Sequence, residues 1–356
     1  MDRALELAEN AISNVSPNPP VGALVVNDGR VVGEGWTEPP GKNHAEIVAL
    51  NQAKQLARDA TLYITLEPCC FHGRTPPCVE AIVAAGVKAV YVSTLDPNPR
   101  VNGKGLEYLR NSGINVSLGE QAEIADKLIE GYKKYIINDM PFITVKYAMS
   151  LDGKIASKNM DSKWISSVES RLFVQKMRSA VDAIMVGSNT VRQDNPSLTV
   201  RNSEGEPTSD QPLRVIVDGD GVIDSKSNVV TQPGDVLVAV SRSEIVRDLE
   251  KLGVRVELIP DSNGKVDLVS LMSLLASKYE ITNVLVEGGG KLAGSLFDLK
   301  LVDKIAAFVS PIIIGGEKAV TGVEGDGVDF IKDAFRLNDV EMIKLDKDFL
   351  IIGSVK

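Results

Sequence analysis

The chain has 356 residues, 44% of them hydrophobic and 24% charged, with a net charge of −9. That length exceeds one ordinary core and points to two domains, while the composition is that of a globular chain. The acidic balance argues against extended nucleic-acid contact, and no apolar run reaches the ~20 residues of a membrane span, so neither nucleic acid nor a membrane is an expected partner.

Met1-Asp2-Arg3 opens a charged, amphipathic segment rather than a secretory one. Asp2 to Ser13 is predicted to be helical, with Leu5, Ala8 and Ile12 near helical spacing, and Ser16-Pro17-Asn18-Pro19-Pro20 breaks it. Val21 to Val26 and Arg30 to Gly35 read as strands joined by an Asp28-Gly29 turn. After Pro39-Pro40-Gly41, Asn43 is the expected N-cap of a helix running to about Arg58, which puts His44 and Glu46 in its first turn. Thr61 to Leu66 is a strand that delivers Cys69, and Pro76-Pro77 opens a helix with Cys78 in its first turn. Val87 to Ser93 and Ile114 to Leu118 read as strands, Gly105 to Ser112 and Glu120 to Ile137 as helices. The pattern is α/β with an opening hairpin, hence a mixed sheet covered by helices.

Asn138-Asp139-Met140-Pro141 reads as a boundary dividing 1–140 from 141–356. In the second series the expected strands are Phe142–Met149, Asp182–Gly187, Leu213–Val217, Val236–Val240, Val254–Ile259 and Asn283–Val286. Helices are expected near Val168–Ala180, Arg242–Leu252, Val266–Lys278 and Lys291–Leu299, with Ser188-Asn189-Thr190 opening a turn. Residues 202–212 and 219–232 read as surface loops.

All three cysteines and both histidines fall between residues 44 and 78. His44, Cys69 and Cys78 offer three N/S ligands and leave a fourth tetrahedral position for water, the arrangement of a catalytic Zn²⁺. Zinc draws the pKa of water towards neutrality, and Glu46, two residues past the histidine, is placed to shuttle protons. Zinc nucleobase deaminases share this H-x-E…P-C layout, although their cysteines are spaced C-x-x-C; here the loop Cys70 to Pro77 intervenes. A single cysteine is more often a small buried hydrophobe. The clustering is what favours one zinc per chain. Cys70 and His72 are spare candidates, and Cys69 is preferred because it directly follows Glu67-Pro68. Three clustered cysteines also suit a reducing, cytoplasmic setting.

The second informative stretch is Val286-Glu287-Gly288-Gly289-Gly290-Lys291-Leu292-Ala293. A strand enters a glycine run that opens a helix, where backbone N–H groups and the helix N-terminus favour a phosphate. The fit to G-x-G-x-x-A is weak alone, and a tight strand-to-helix turn is the plainer reading. Arg171 and Arg178 lie two turns apart on one helix face, which is commonly just a solvated face.

Both halves carry a recognisable set of motifs. The first half has Pro17-Asn18-Pro19, Val21-Gly22-Ala23, His44-Ala45-Glu46, Thr65-Leu66-Glu67-Pro68-Cys69, Gly73-Arg74-Thr75-Pro76-Pro77-Cys78 and Asp96-Pro97-Asn98-Pro99. The second has Lys146 to Gly153, Trp164-Ile165, Gly187 with Thr190-Val191, Asp194 to Leu198, Arg214-Val215 to Asp218, and Glu287-Gly288-Gly289. In these the chain resembles the bifunctional deaminase–reductase family of riboflavin biosynthesis over essentially its whole length.

The resemblance implies a cytidine-deaminase-like three-layer α/β/α domain followed by a dihydrofolate-reductase-like α/β domain. It implies zinc-dependent deamination of a diamino-pyrimidinone ribosylamine 5′-phosphate, then reduction of the ribosyl group to ribityl by NADPH. By position, His44, Cys69 and Cys78 are the implied zinc ligands and Glu46 the proton carrier. Ala148, Trp164, Thr190, Asp194, Gly219 and the run Gly289, Gly290, Lys291, Leu292, Ala293, Gly294 and Ser295 are the implied NADPH contacts. Ser162, Arg178, Leu198, Arg201 and Glu287 are the implied contacts to the phosphorylated pyrimidine. The chain departs from the commonest family pattern at Thr37, where His is frequent, at Cys70-Phe71, where Ser-His is usual and His72 stands one place later, and at Asn195, where Asp is frequent.

Two other functions compete. A nucleic-acid or nucleoside deaminase fused to a binding module would need a basic, aromatic-rich stretch that the chain lacks. In a non-catalytic zinc-stabilised interaction protein, Glu46 would be an ordinary helix-start carboxylate. The oligomeric state is left open, a homo-oligomer included.

Overall fold

The computed structural model describes residues 1–355, in two compact units, Met1–Met140 and Pro141–Lys356. In the first unit a five-stranded sheet has the order β2-β1-β3-β4-β5, with β1 Gly22–Asn27, β2 Arg30–Trp36, β3 Thr61–Leu66, β4 Ala89–Thr94 and β5 Asn115–Leu118. β1 runs antiparallel to β2 and β3, and β3, β4 and β5 are parallel. Asp28 and Gly29 both have positive φ (48° and 73°), the combination that turns a two-residue hairpin with the right twist. The helices are α1 Asp2–Glu9, α2 Ala45–Ala53, α3 Cys78–Ala84, α4 Lys104–Asn111, α5 Ala122–Leu128 and α6 Glu130–Asn138.

The core of this unit lies on the sheet, where Leu62, Ile64, Val90 and Val92 are fully buried; truncating such a Leu or Ile to Ala costs ~2–5 kcal/mol. Two glycines of β2 set the position of α2. A Cβ at Gly33 would lie 2.1 Å from the Ala49 carbonyl oxygen, and one at Gly35 2.4 Å from that of Ala45. Only glycine admits α2 this close to β2, and α2 carries the start of the metal motif.

Some boundaries differ from the expectations. α2 begins at Ala45 with His44, not Asn43, as its N-cap residue. The predicted helix 120–137 is broken at Ile129 (φ −103°, ψ 12°), a residue buried in the core. α1 stops at Glu9, short of Ser13.

The second unit holds a nine-stranded sheet of order β10-β9-β8-β7-β11-β6-β12-β14-β13. Its strands are β6 Phe142–Ser150, β7 Ala183–Gly187, β8 Leu213–Val217, β9 Val236–Val240, β10 Arg255–Leu258, β11 Asn283–Glu287, β12 Lys304–Ser310, β13 Leu337–Leu345 and β14 Asp348–Val355. The run β10 to β12 is parallel, and β14 and β13 close it as an antiparallel hairpin. β12, β13 and β14 lay outside the strands expected from sequence. β13 is an edge strand whose Asp339, Val340, Glu341 and Met342 are all exposed, so it lacks the in–out alternation that marks a half-buried strand.

The helices of this unit are α7 Val168–Ser179, α8 Ser188–Asp194, α9 Asn228–Thr231, α10 Val246–Glu250, α11 Leu268–Tyr279 and α12 Gly290–Asp298. Ser188-Asn189-Thr190, expected as a turn, forms the first turn of α8. α7 is capped by Ser167, whose Oγ accepts from the Ser170 N–H, and Asp348 Oδ2 accepts from the Ser167 N–H (2.6 Å) and the Ser170 hydroxyl (2.7 Å). β11 lies between β6 and β7, so the strand order turns back there, the place where open parallel sheets form ligand crevices at their C-terminal ends.

Candidate functional site

In the first unit, one helix start, one strand exit and a second helix start meet. His44 stands at the N-cap position of α2, Cys69 lies three residues past β3, and Cys78 is the first residue of α3. Their donor atoms all lie within 4.8 Å of one another. His44 Nδ1 is 3.6 Å from Cys69 Sγ and 3.2 Å from Cys78 Sγ, while His44 Nε2 is 3.2 Å from Thr75 Oγ1. One ring nitrogen therefore faces the thiols and the other is held by a hydroxyl, the usual way of orienting a histidine ligand. The Cys78 N–H donates to Cys69 Sγ at 3.3 Å. Hydrogen bonding from the Cys78 thiol, then from His44 and this N–H, outweighs burial and pulls Cys69 towards the thiolate, the form that binds metal. Cys70 turns its thiol to the Arg100 carbonyl at 3.8 Å and stays out of the cluster.

Glu46 is 4% exposed, in the first turn of α2. Burial, only partly offset by His44, pushes its carboxyl up to about 7. It shares with His44 and Cys69 a cleft of about 420 Å³ that also takes in Thr37, Phe71 and Asp96, a size suited to a small molecule. Phe71 lines this cleft, whereas His72 is exposed and does not.

In the sequence Glu67 stands out only as a near neighbour of Cys69. Its buried carboxylate accepts from four backbone N–H groups: Asp96 (3.2 Å), Gly103 (2.8 Å), Gly105 (2.9 Å) and Leu106 (3.2 Å). It thereby ties the exit of β3 to the start of α4, where a negative charge is favoured. Asp96 Oδ1 accepts from the Tyr132 hydroxyl at 3.1 Å, and burial raises the Asp96 carboxyl to about 6.

In the second unit, a cleft of about 480 Å³ is bordered by Ala148, Trp164, Thr190, Asp194 and Gly289, and by Ser162, Arg178, Leu198 and Glu287. A neighbouring hollow of about 330 Å³ shares Ser162, Thr190, Asp194 and Gly289 and adds Gly290, Lys291 and Leu292. Ser162 donates to Asp194 Oδ1 at 2.9 Å. At the centre, Glu287 is gripped by Arg178 (Nε to Oε1 2.5 Å, Nη2 to Oε2 3.1 Å) and by Lys146 (Nζ to Oε2 3.4 Å). Burial would raise its carboxyl, but the two cations hold it at about 2. The third Arg178 nitrogen donates to the Thr199 carbonyl at 3.0 Å. Arg171 lies over the Trp164 ring at 4.5 Å.

Several residues expected at this site lie outside both hollows. Gly219 sits where Ser241 donates to its carbonyl at 2.8 Å. Ala293 is buried, and Gly294 packs against the chain at Glu324, whose carbonyl oxygen would lie 2.2 Å from an added Cβ. Ser295, one residue further along α12, is exposed and does not border either hollow. Gly294 lies one turn on from Gly290 on the same helix face, but the chain at Glu324 covers it there. Arg201 donates from Nη1 to the Gly205 carbonyl at 2.7 Å, and its N–H meets the side chain of the cleft-lining Gln175 at 3.0 Å.

The residues present fit both implied groups. The first unit supplies a His/Cys/Cys donor set with one thiol drawn to thiolate. The second supplies a glycine turn, Gly288 (φ +124°) and Gly289 (φ +75°), in which an added Cβ at Gly289 would stand 3.2 Å from Thr190 Oγ1. That turn bares backbone N–H groups at the start of the nine-residue helix α12, as phosphate cradles do.

Two family descriptions match the chain: a cytidine and deoxycytidylate deaminase zinc-binding region over residues 1–94, and a RibD C-terminal domain over residues 141–351. Among curated relatives, the riboflavin biosynthesis protein RibD of Aquifex aeolicus is 40% identical over 354 residues, covering 99% of this chain and 96% of that protein. RibD of Escherichia coli is 40% identical over 326 residues, covering 89% and 88%. Among solved structures, Acinetobacter baumannii RibD superposes with a TM-score of 0.88 at 35% identity, covering 100% of this chain and 97% of that one. A Thermotoga maritima diaminohydroxyphosphoribosylaminopyrimidine deaminase/5-amino-6-(5-phosphoribosylamino)uracil reductase gives 0.86 at 38% identity, with the same coverage.

Proposed function

Because the chain belongs to the RibD family, the bifunctional deaminase–reductases of riboflavin biosynthesis, we propose that its two clefts divide the family's two reactions. Residues 1–140 carry the zinc-dependent deaminase and residues 141–356 the NADPH-dependent reductase. The substrate is 2,5-diamino-6-(5-phosphoribosylamino)pyrimidin-4(3H)-one, and the protein works in the cytoplasm, where its thiols stay reduced. The observation that carries the reading is the convergence of His44, Cys69 and Cys78 beside a buried carboxylate, Glu46.

In the deaminase, His44 Nδ1 and the two sulfurs hold the metal, with Thr75 fixing the imidazole. Zinc, when bound, supplies Lewis acidity that makes water a nucleophile near neutral pH. Glu46 takes one proton from the attacking water and delivers it to the ring nitrogen, then takes the proton of the added hydroxyl and delivers it to the amine, which departs as ammonia. The enclosing cleft limits bulk water around that carboxylate.

In the reductase, Gly289, Gly290, Lys291 and Leu292 at the start of α12, together with Thr190, Asp194, Ala148 and Trp164, would hold NADPH. NADPH, when bound, supplies the hydride. Glu287, fixed by Arg178 and Lys146, orients the sugar, and Ser162 and Leu198 border it. Three of the five Arg178 N–H donors are engaged in the protein, two of them on Glu287, and we assign Arg178 to holding that carboxylate. Arg201, adjoining Gln175, is the residue we assign to the phosphate; Arg201→Lys then raises KM for the phosphorylated substrate and leaves that for NADPH unchanged, and equal KM values would remove it. A coupled assay with the diamino substrate and NADPH tests the whole reading. Release of ammonia followed by substrate-dependent NADPH oxidation is expected, and absence of either step from zinc-loaded protein refutes its half.

A further inference from the structure

The deaminase cleft contains a cation that the roles above leave unused. Arg100 lies over Phe71, its guanidinium carbon 3.7 Å from the ring centre, and both residues border the cleft that holds His44 and Glu46. The loop that presents Arg100 is held by its own sequence, Asp96-Pro97-Asn98-Pro99-Arg100. The Asn98 N–H donates to Asp96 Oδ1 at 2.8 Å, and the Arg100 N–H to Asn98 Oδ1 at 3.0 Å. Lys104 Nζ and Cys70 Sγ then donate to the Arg100 carbonyl, at 3.4 and 3.8 Å. Two side-chain turns and two further donors therefore fix the backbone, and the ring fixes the side chain.

Stacking occupies the face of a guanidinium and leaves its in-plane N–H donors free. No described residue accepts from those donors. Arg74, the other arginine of the cleft, has an interaction of its own. A planar fork with open edges suits bidentate bonding to a phosphate, and a side chain already ordered by a ring loses less rotamer freedom when the ligand arrives.

We propose that Arg100, stacked on Phe71, binds the phosphate of the deaminase substrate and makes this cleft select phosphorylated over unphosphorylated pyrimidine ribosylamines. The inference rests on the deaminase reading above. Its test uses the zinc-loaded full-length protein with the 5′-phosphorylated substrate and its dephosphorylated counterpart. Arg100→Gln should raise KM for the phosphorylated substrate on the order of tenfold, the worth of a charge-assisted hydrogen bond, with kcat near the parent value. KM for the dephosphorylated compound should not move, and reductase KM, which reads the same phosphate in the other cleft, should also stay put. Phe71→Leu should raise the same KM by less, and Arg100→Lys should restore part of the loss. A variant Arg100→Gln that keeps the parent's ratio of the two KM values overturns the proposal alone. A parent protein that deaminates neither compound overturns this proposal together with the deaminase reading.

Discussion

Arg178 and Glu287, 109 residues apart in the chain, meet in a two-point ion pair, Nε to Oε1 at 2.5 Å and Nη2 to Oε2 at 3.1 Å. Glu287 is buried and Arg178 half-buried, and Lys146 completes the group. Breaking such a pair on one side leaves a buried charge uncompensated and costs ~3–5 kcal/mol. Glu287→Gln should therefore destabilise the second unit by about that amount at pH 7. The pH dependence has a definite sign. The Glu287 carboxyl is held at about 2, below its ordinary 4.5, so its stabilisation is complete above the ordinary value and fades as pH falls towards 2. Hydrogen exchange of the β11 amides in parent and variant should show a gap that closes over that interval; a gap constant from pH 7 to 2 would remove Glu287 as its source.

The metal set predicts a sharp contrast among three thiols. Cys69→Ala and Cys78→Ala should lose zinc, whereas Cys70→Ser should keep it, because the Cys70 thiol turns to the Arg100 carbonyl. Elemental analysis of the purified variants decides this, and full occupancy in either alanine variant would exclude that cysteine as a ligand.

Glu46→Gln keeps the size and burial of the side chain and removes the transferable proton. Zinc content should be unchanged and deamination should drop by ~10²–10⁴-fold. The reductase, offered already deaminated substrate, should turn over as in the parent. Deamination near the parent rate would end the assignment of Glu46 as proton carrier.

Gly289 sits at φ +75° with Thr190 Oγ1 3.2 Å from where a Cβ would stand. Gly289→Val adds bulk at the turn and strains its backbone, so NADPH affinity measured by fluorescence titration should weaken while ammonia release by the deaminase is untouched. Unchanged NADPH affinity would place the cofactor elsewhere.

The sequence by itself determined what depends on neighbours in the chain. Short runs rich in β-branched and apolar residues, such as Thr61–Leu66, Leu213–Val217 and Val236–Val240, are strands at those very residues, because residue preference and flanking turns are local. The types and clustering of His44, Cys69 and Cys78 marked them as a candidate metal set, since a donor's chemistry resides in the residue itself. Tertiary structure alone decided the rest. Which nitrogen of His44 faces the thiols depends on Thr75, 31 residues away. That Phe71 and not His72 borders the cleft depends on how one loop is turned. Glu67 gathers amides from a helix that begins 37 residues later, and Arg178 finds its partners at Glu287 and Thr199. Each of these is a choice of partner across a large sequence separation. Burial forces that choice, since a polar group removed from water must find one, and only the folded chain settles which partner is within reach.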